Sequence, residues 1–380
     1  GYASLSDMTT STRNTAVGAY SGTAVTTASD NTLLGYYAGW KVTTGGENTA
    51  VGSYSFYNNT TGIENTAVGR SSLQSNSTGN YNTAVGRSAL QENTTGNYNT
   101  ALGKNSLYAN TTNDNTAVGY ESLGSTTTGP ANVAIGYQAG KGNTTGASNV
   151  WVGDGAGKDG TCTGSNNTFV GKRAGLANTS GVMNTGISPY ALDATTSGSY
   201  NTAIGYESLS ANTTGTHNTF VGIGSGLLNT TGQDNVGFGN YTLNQCTTGN
   251  HNVAMGREAA FATTTGHRNV SIGYYAGKTH TTAYYVTAIG AHAMEDGTSC
   301  TSCTALGHQA GMNNTTGTGN TFVGRGAGNN LTTGSNSMIL GQDGTSSSAT
   351  ISNEITLGNS YIATLRCNDT SIASLSDRRD

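Results

Sequence analysis

A single pentapeptide, Asn-Thr-Ala-Val-Gly, returns through this chain at Asn14, Asn48, Asn65 and Asn82, and its variants recur at nearly constant spacing to the end. Aligned on the first residue, the copies begin at 14, 31, 48, 65, 82, 99, 115, 132, 149, 167, 184, 201, 218, 235, 252, 269, 286, 303, 320, 336 and 353. The steps are 17 residues with single-residue slips to 16 or 18, and the unit reads N-T-A-V-G-x-x-(S/A)-(L/G)-x-x-N-T-T-G-x-x. A period of this kind makes each unit a module that buries its apolar side only against its neighbours. Independent domains joined by linkers are excluded across residues 14–340.

Composition supports the same reading. Charged residues make up 9% of the 380 and hydrophobic ones 34%, against about 25% and about 45–50% in ordinary domains. That is too little Leu and Ile for long amphipathic helices. Gly is frequent, 57 residues, but lacks the three-residue period of collagen. With only 2 Pro and few charges, the chain also lacks the usual signature of disorder. No run of about 18 apolar residues is present, so no membrane insertion is expected. A net charge of −4 gives no basis for nucleic-acid binding.

Comparing the copies assigns the positions, numbered 1–17 from the repeat Asn. Position 4 is always apolar, as at Val85, Val118, Ile204 and Val323, and is expected to form the core of the repeats. Position 2, mostly Thr or Val, would share its face because strand side chains alternate. Position 3 ranges from Gly186 to Trp151, which suggests a groove or partly wet face. Position 5 is nearly always Gly, as needed for positive φ or close backbone approach, and Thr-Thr-Gly marks a second turn. Each unit therefore reads as a short strand, a Gly turn, a second extended piece and another turn. Stacked at about 4.8 Å per coil, 21 units give an all-β solenoid or β-roll about 100 Å long. The recurring Asn either forms hydrogen-bonded ladders or serves as a turn former.

The expected organisation is a lead-in at 1–13, a shaft at 14–340, a C-terminal cap at 341–376 and a residual junction at 377–380. The cap is expected to leave the solenoid, because Thr-Thr-Gly ends at Gly334 and Ile351, Ile355, Leu357, Ile362, Leu365 and Ile372 crowd together. Two to four apolar side chains per unit make a thin core, so a parallel homotrimer is expected, with the cap as its clamp.

The N-T-A-V-G / A-L / N-T-T-G array resembles the repeats of bacteriophage tail-fibre proteins, and is similar to the N-S-V-A-I-G repeats in trimeric autotransporter adhesin heads. The string Ser376-Asp377-Arg378-Arg379 resembles the junction ahead of the intramolecular chaperone of endosialidase-type tail spikes, the S74 peptidase family. That resemblance implies a chaperone encoded beyond Asp380, which assists trimerisation and then cuts between Ser376 and Asp377.

Chemistry-bearing residues are sparse. Six His fall mostly in variable turn positions; His251 and His267, one repeat apart, are either a metal stripe or exposed turn residues. The 20 acidic residues are scattered, with no glycosidase-like pair. Gly222-Ile223-Gly224-Ser225-Gly226 lacks the Lys of a phosphate loop. Cys300 and Cys303 have CxxC spacing without a second pair, so a local disulfide or free buried thiols are open readings. Tyr36, Tyr120, Tyr137, Tyr206 and Tyr274 follow the Gly turn and either stack on sugar rings or close the turns as a ladder.

These readings converge on a non-enzymatic virion protein with no cofactor and no metal: a tail-fibre or tail-spike shaft, extracellular in the virion. Its expected partners are itself, other virion tail proteins and a host-surface glycan or protein. The alternative is a bacterial trimeric surface adhesin head. A glycan-cleaving spike would need clustered carboxylates. Ice binding would need a flat Thr-x-Thr face, and the strand offers one Thr per coil.

Overall fold

Asn at position 1, a small residue at position 3 and Gly at position 5 set how one unit closes into one coil. The computed structural model describes residues 1–362 and Thr364. Positions 2–4 form twenty-one three-residue strands, numbered in chain order from β1 (Thr15–Val17) to β21 (Ile355–Leu357). Each pairs in parallel with the strand one coil on, residue for residue, as in Thr83↔Thr100, Ala84↔Ala101 and Val85↔Leu102. All belong to one 21-stranded sheet. The rest of each coil is also tied to the next, for instance by Leu90 N donating to Ser106 O at 3.0 Å. The fold is therefore the β-solenoid that the period demands.

The coil turns at residues with left-handed backbone. In the coil starting at Asn82 these are Ser88 (φ 56), Leu90 (φ 50) and Tyr98 (φ 57). The position-5 glycine has a stricter task. Gly86 has φ 135, and a Cβ there would lie 2.5 Å from the carbonyl oxygen of Gly103 in the next coil. Gly fills this position in every coil but one, where Ser188 takes it at φ 118.

Both Asn columns point inward. Asn82 Nδ2 donates to Asn65 Oδ1 at 3.1 Å and to Gly96 O at 2.8 Å, while its Oδ1 accepts from Asn99 N at 3.0 Å. The Asn of Asn-Thr-Thr-Gly makes a second ladder: Asn93 Nδ2 donates to Asn76 Oδ1 at 3.0 Å, and Asn93 Oδ1 accepts from Gly96 N at 3.1 Å. The Thr that follows makes a third column outside, as Thr213 Oγ1 donates to Thr230 O at 3.0 Å. These ladders satisfy buried backbone groups that an apolar core would leave unpaired.

The facing expected from sequence is reversed. The position-3 residues Ala84, Ala117, Ala203 and Phe322 are fully buried, whereas Val85, Val118 and Val323 are only half-buried and Ile204 is 37% exposed. Alternation explains the reversal: once Asn at position 1 faces inward, position 3 must follow it and position 4 must face out. Position 4 is apolar for a reason other than burial within its own chain.

Size variation at position 3 likewise reflects a dry, shared volume and not a wet groove. Position 9 points into the same space. Ala at position 3 goes with Leu at position 9 in Ala67/Leu73, Ala84/Leu90 and Ala101/Leu107, all buried. Large residues go with Gly, in Leu33/Gly39, Trp151/Gly157, Phe169/Gly175, Phe220/Gly226 and Phe322/Gly328. A Cβ on Gly157 would lie 2.0 Å from Trp151 Nε1, and one on Gly226 2.9 Å from Phe220 Cε1. Where Gly follows Ala, the next coil fills the gap: Trp151 also packs on Gly140, and Phe322 on Gly311.

Two boundaries shift. Met338 pairs with Thr321 and Ile355 with Met338, so the last two coils begin at Ser337 and Glu354, not at Asn336 and Asn353. Asn336 is a left-handed corner, with φ 55. The expected departure from the solenoid at 341 is not seen in the described residues. Asp343 N bonds Arg325 O, Thr332 N bonds Ala349 O and Gly358 N bonds Leu340 O, which carries the coil on to Gly358. The lead-in, too, is solenoid: Tyr20 N bonds Tyr2 O and Leu5 N bonds Ser21 O, so residues 1–13 lie as positions 5–17 of a coil. The apolar core is divided once, between Ala260 and Ala283. Ser271 occupies position 3 there, and His280 occupies the inner Asn column.

Candidate functional site

A solenoid offers chemistry only through what its coils line up on the surface or enclose. The enclosed groups come first. Cys162, Cys246, Cys300 and Cys303 are buried, unpaired thiols. Cys300 and Cys303 thus share no disulfide, since they sit in different inward columns at positions 15 and 1. Burial pushes the Cys246 thiol up to about 11 and raises those of Cys162, Cys300 and Cys303. Such thiols are poor nucleophiles. His280 is fully buried, with Nε2 3.8 Å from Cys300 Sγ, and burial lowers it to about 4. It fits because Gly297 stands in the same column one coil on, leaving the space a Cβ would take.

The exposed His do not converge on a site. His251 Nε2 is 3.6 Å from Asp234 Oδ2, and the ring of His267 stacks on Tyr284 at 5.3 Å. Among the described residues, no three His, Cys, Asp or Glu side chains are grouped to hold a metal ion. The best-organised polar cluster is Glu121, which accepts from Lys141 Nζ at 2.7 Å and Gln138 Nε2 at 2.9 Å. Lys141, with help from Tyr120 and Gln138, holds its carboxyl at about 2. This arrangement ties adjacent coils together.

The five Tyr candidates all sit at position 6 and are all exposed. They do not form one line. Tyr120 and Tyr137 stack on each other at 5.5 Å, and Lys104 lies 5.5 Å over Tyr120. Tyr274 stacks on its neighbour Tyr275 at 4.0 Å, and Tyr206 meets Tyr190 edge-on at 5.8 Å. Rings stacked along the axis turn a face to one another, which reduces what they present to a ligand.

Tyr36 belongs to a larger patch. Tyr20, Tyr37 and Tyr54 form an axial stack with centroids 4.8 Å and 5.6 Å apart. Tyr36 packs edge-on to Tyr37 at 4.4 Å, Trp40 stacks on Tyr57 at 4.9 Å, and Lys41 lies 5.4 Å from the Trp40 ring. Sequence reading singled out Tyr36 alone. The signal for the others was there: aromatic residues at positions 6, 7 and 10 of consecutive coils must meet once coils stack in register.

The outer face of the sheet, built from positions 2 and 4, runs the length of the stacked strands. Thr83 and Val85 are followed by Thr100 and Leu102, then Thr116 and Val118, then Val133 and Ile135, each pair directly over the last. Its side chains are half-buried or exposed throughout.

Fold and surface together define a β-solenoid repeat protein. No protein-family model matches the chain, and no curated protein matches it. Ser376 and Asp377, the residues of the resemblance to a chaperone junction, lie outside the described residues, as does Cys367.

Proposed function

We propose that the chain is the shaft of a bacteriophage tail fibre or tail spike, a non-enzymatic rod that works as a parallel homotrimer in the virion, outside the cell. The observation that carries this reading is the unbroken register of 21 stacked strands. A rod about 100 Å long, with backbone bonds between all consecutive coils, sets a fixed distance between its ends. Host attachment needs that stiffness, and the shaft joins other tail proteins to a host-surface glycan or protein. The aromatic patch around Tyr36 and Trp40 is the surface best suited to contact a sugar ring. The second reading, the head of a bacterial trimeric adhesin, draws on the same strand motif and the same stiff array.

Immunogold labelling with antibodies raised against the purified rod separates the two. Label on the tail appendages of virus particles supports the fibre. Label on the surface of uninfected bacteria supports the adhesin, and label confined to the cell interior refutes both. Mass spectrometry of the assembled protein tests the proposed cut, which predicts a C-terminus at Ser376.

A further inference from the structure

We propose that the outer face of the sheet, positions 2 and 4 of every coil, is the surface on which copies of this chain pack side by side, parallel and in register. The inference deepens the homotrimer reading by naming the face that makes it. Each of the 21 strands turns two side chains outward, and none carries a charge or an amide. Position 4 runs Val17, Leu34, Val51, Val68 and onward to Leu340 and Leu357, always aliphatic, Met or Phe. Position 2 is Thr or Val until Met338 and Ile355. Yet these side chains face solvent in the single chain: Leu102 is 42% exposed and Leu306 48%. All-parallel sheets are ordinarily covered on both faces. This one is covered on its inner face alone.

Size and shape select the occupant. Twenty steps of about 4.8 Å and a breadth of about 10 Å make a stripe of about 1,000 Å², apolar throughout along its position-4 half and mostly Thr along its position-2 half. Monomers rarely expose contiguous apolar patches beyond a few hundred Å², and a standard interface takes about 800 Å² from each partner. The stripe is narrow and repeats at the spacing of the coil. A partner that meets it row for row over its whole length has the same repeat, and a second copy does. A regular crystalline lattice is a poorer match, because Phe238, Met255 and Leu306 break the evenness of the position-4 row.

The rims give the polarity. In the row before the strand most positions are uncharged, and the charged ones are chiefly acidic: Asp30, Glu47, Glu64, Asp114 and Asp234 against Arg13 and Arg268. In the row after it most positions are likewise uncharged, and the charged ones are chiefly basic: Arg70, Arg87, Lys104, Lys172, Arg257 and Arg325 against Asp154. Parallel packing places the acidic rim of one copy beside the basic rim of the next. Antiparallel packing of the same faces sets like rims together. An apolar centre between charged rims is the usual anatomy of a protein interface.

The test is the mass of the full chain by analytical ultracentrifugation, with Val85→Lys/Val118→Lys on the stripe and Thr95→Lys/Thr128→Lys on the exposed Thr-Thr turn as control. The wild type and the control should sediment as three copies; two copies would support this face and overturn the homotrimer reading. The stripe variant should fall three-fold in mass, to a single chain, with the far-UV circular dichroism of the wild type. A wild type that is monomeric overturns both this inference and the homotrimer reading. A stripe variant that keeps the multimer mass overturns this inference alone. Polarity is read by spin labels at Val17→Cys in a Cys367→Ser background. A short distance between copies supports parallel packing, and one of about 100 Å refutes it.

Discussion

If positions 3 and 9 share one core volume, then exchanging their sizes in a single coil should be nearly neutral although each half of the exchange is harmful. Phe220 and Gly226 are the pair to use. Phe220 is fully buried, and a Cβ on Gly226 would stand 2.9 Å from its ring. The flanking coils already have small residues at position 3 and Leu at position 9, in Ala203/Leu209 and Gly237/Leu243. Phe220→Ala alone empties the space and should cost about 3–5 kcal/mol. Gly226→Leu alone drives a side chain into the ring and should cost about 1–3 kcal/mol. Its backbone adds the strain of a left-handed residue at φ 63, which Leu209 and Leu243 already bear at φ 50 and 45 at that position. Added together, the two penalties come to about 4–8 kcal/mol, but the double variant rebuilds the Ala/Leu coil and should stay within about 2 kcal/mol of wild type. Because a solenoid can lose coils locally, urea melts should be paired with amide hydrogen exchange of Thr219, Phe220 and Val221. A double variant whose losses are simply additive would refute the shared-volume account.

Other consequences follow from the enclosed groups. Asn82→Ala removes the acceptor of the buried Asn99 N–H and three side-chain bonds, and should cost about 3 kcal/mol, read by faster exchange at Asn99. His280 titrates at about 4 in the folded chain against its ordinary 6.5, so the unfolded state takes up the proton first. Stability should therefore be unaffected above pH 6.5, fall by about 3 kcal/mol between there and pH 4, and level off below; urea melts of His280→Asn should lack that loss. The four described thiols, buried and raised, should react with a thiol reagent only as fast as the rod opens, and at full rate in denaturant.

The coil, its period and its number were legible because 21 copies of one unit sit in one sequence. What the copies could not give by apolarity alone was the facing. Val85 and Ala84 are adjacent apolar residues, and size alone favours the larger one for the core. The deciding signal is Asn82: a column of Asn in nearly every coil needs the interior to bond its neighbours, and it carries Ala84 in with it. The exchange of Trp151/Gly157 for Ala84/Leu90 was also visible in the copies, but it has meaning only once both positions point into one space. The end of the array was misjudged because Ser337 and Glu354 replace the repeat Asn while Asn336 and Asn353 stand one residue away. There the burial of Ile339, and not the Asn, fixes the register. The surfaces were harder still. Tyr36 was evident from its place after a Gly turn, whereas Trp40 and Tyr57 join it only through stacking between coils.

A rod of one coil per repeat, with its bare sheet face covered by copies of itself as proposed, has a set length and a cross-section of more than one solenoid. Small-angle X-ray scattering of the purified chain at its stable assembly state tests this most directly. A maximum dimension of about 100 Å, with a cross-section holding two or three solenoids, is the expected result. A particle of that length with the cross-section of one solenoid would contradict the association, and a particle much shorter than about 100 Å would contradict the rod itself.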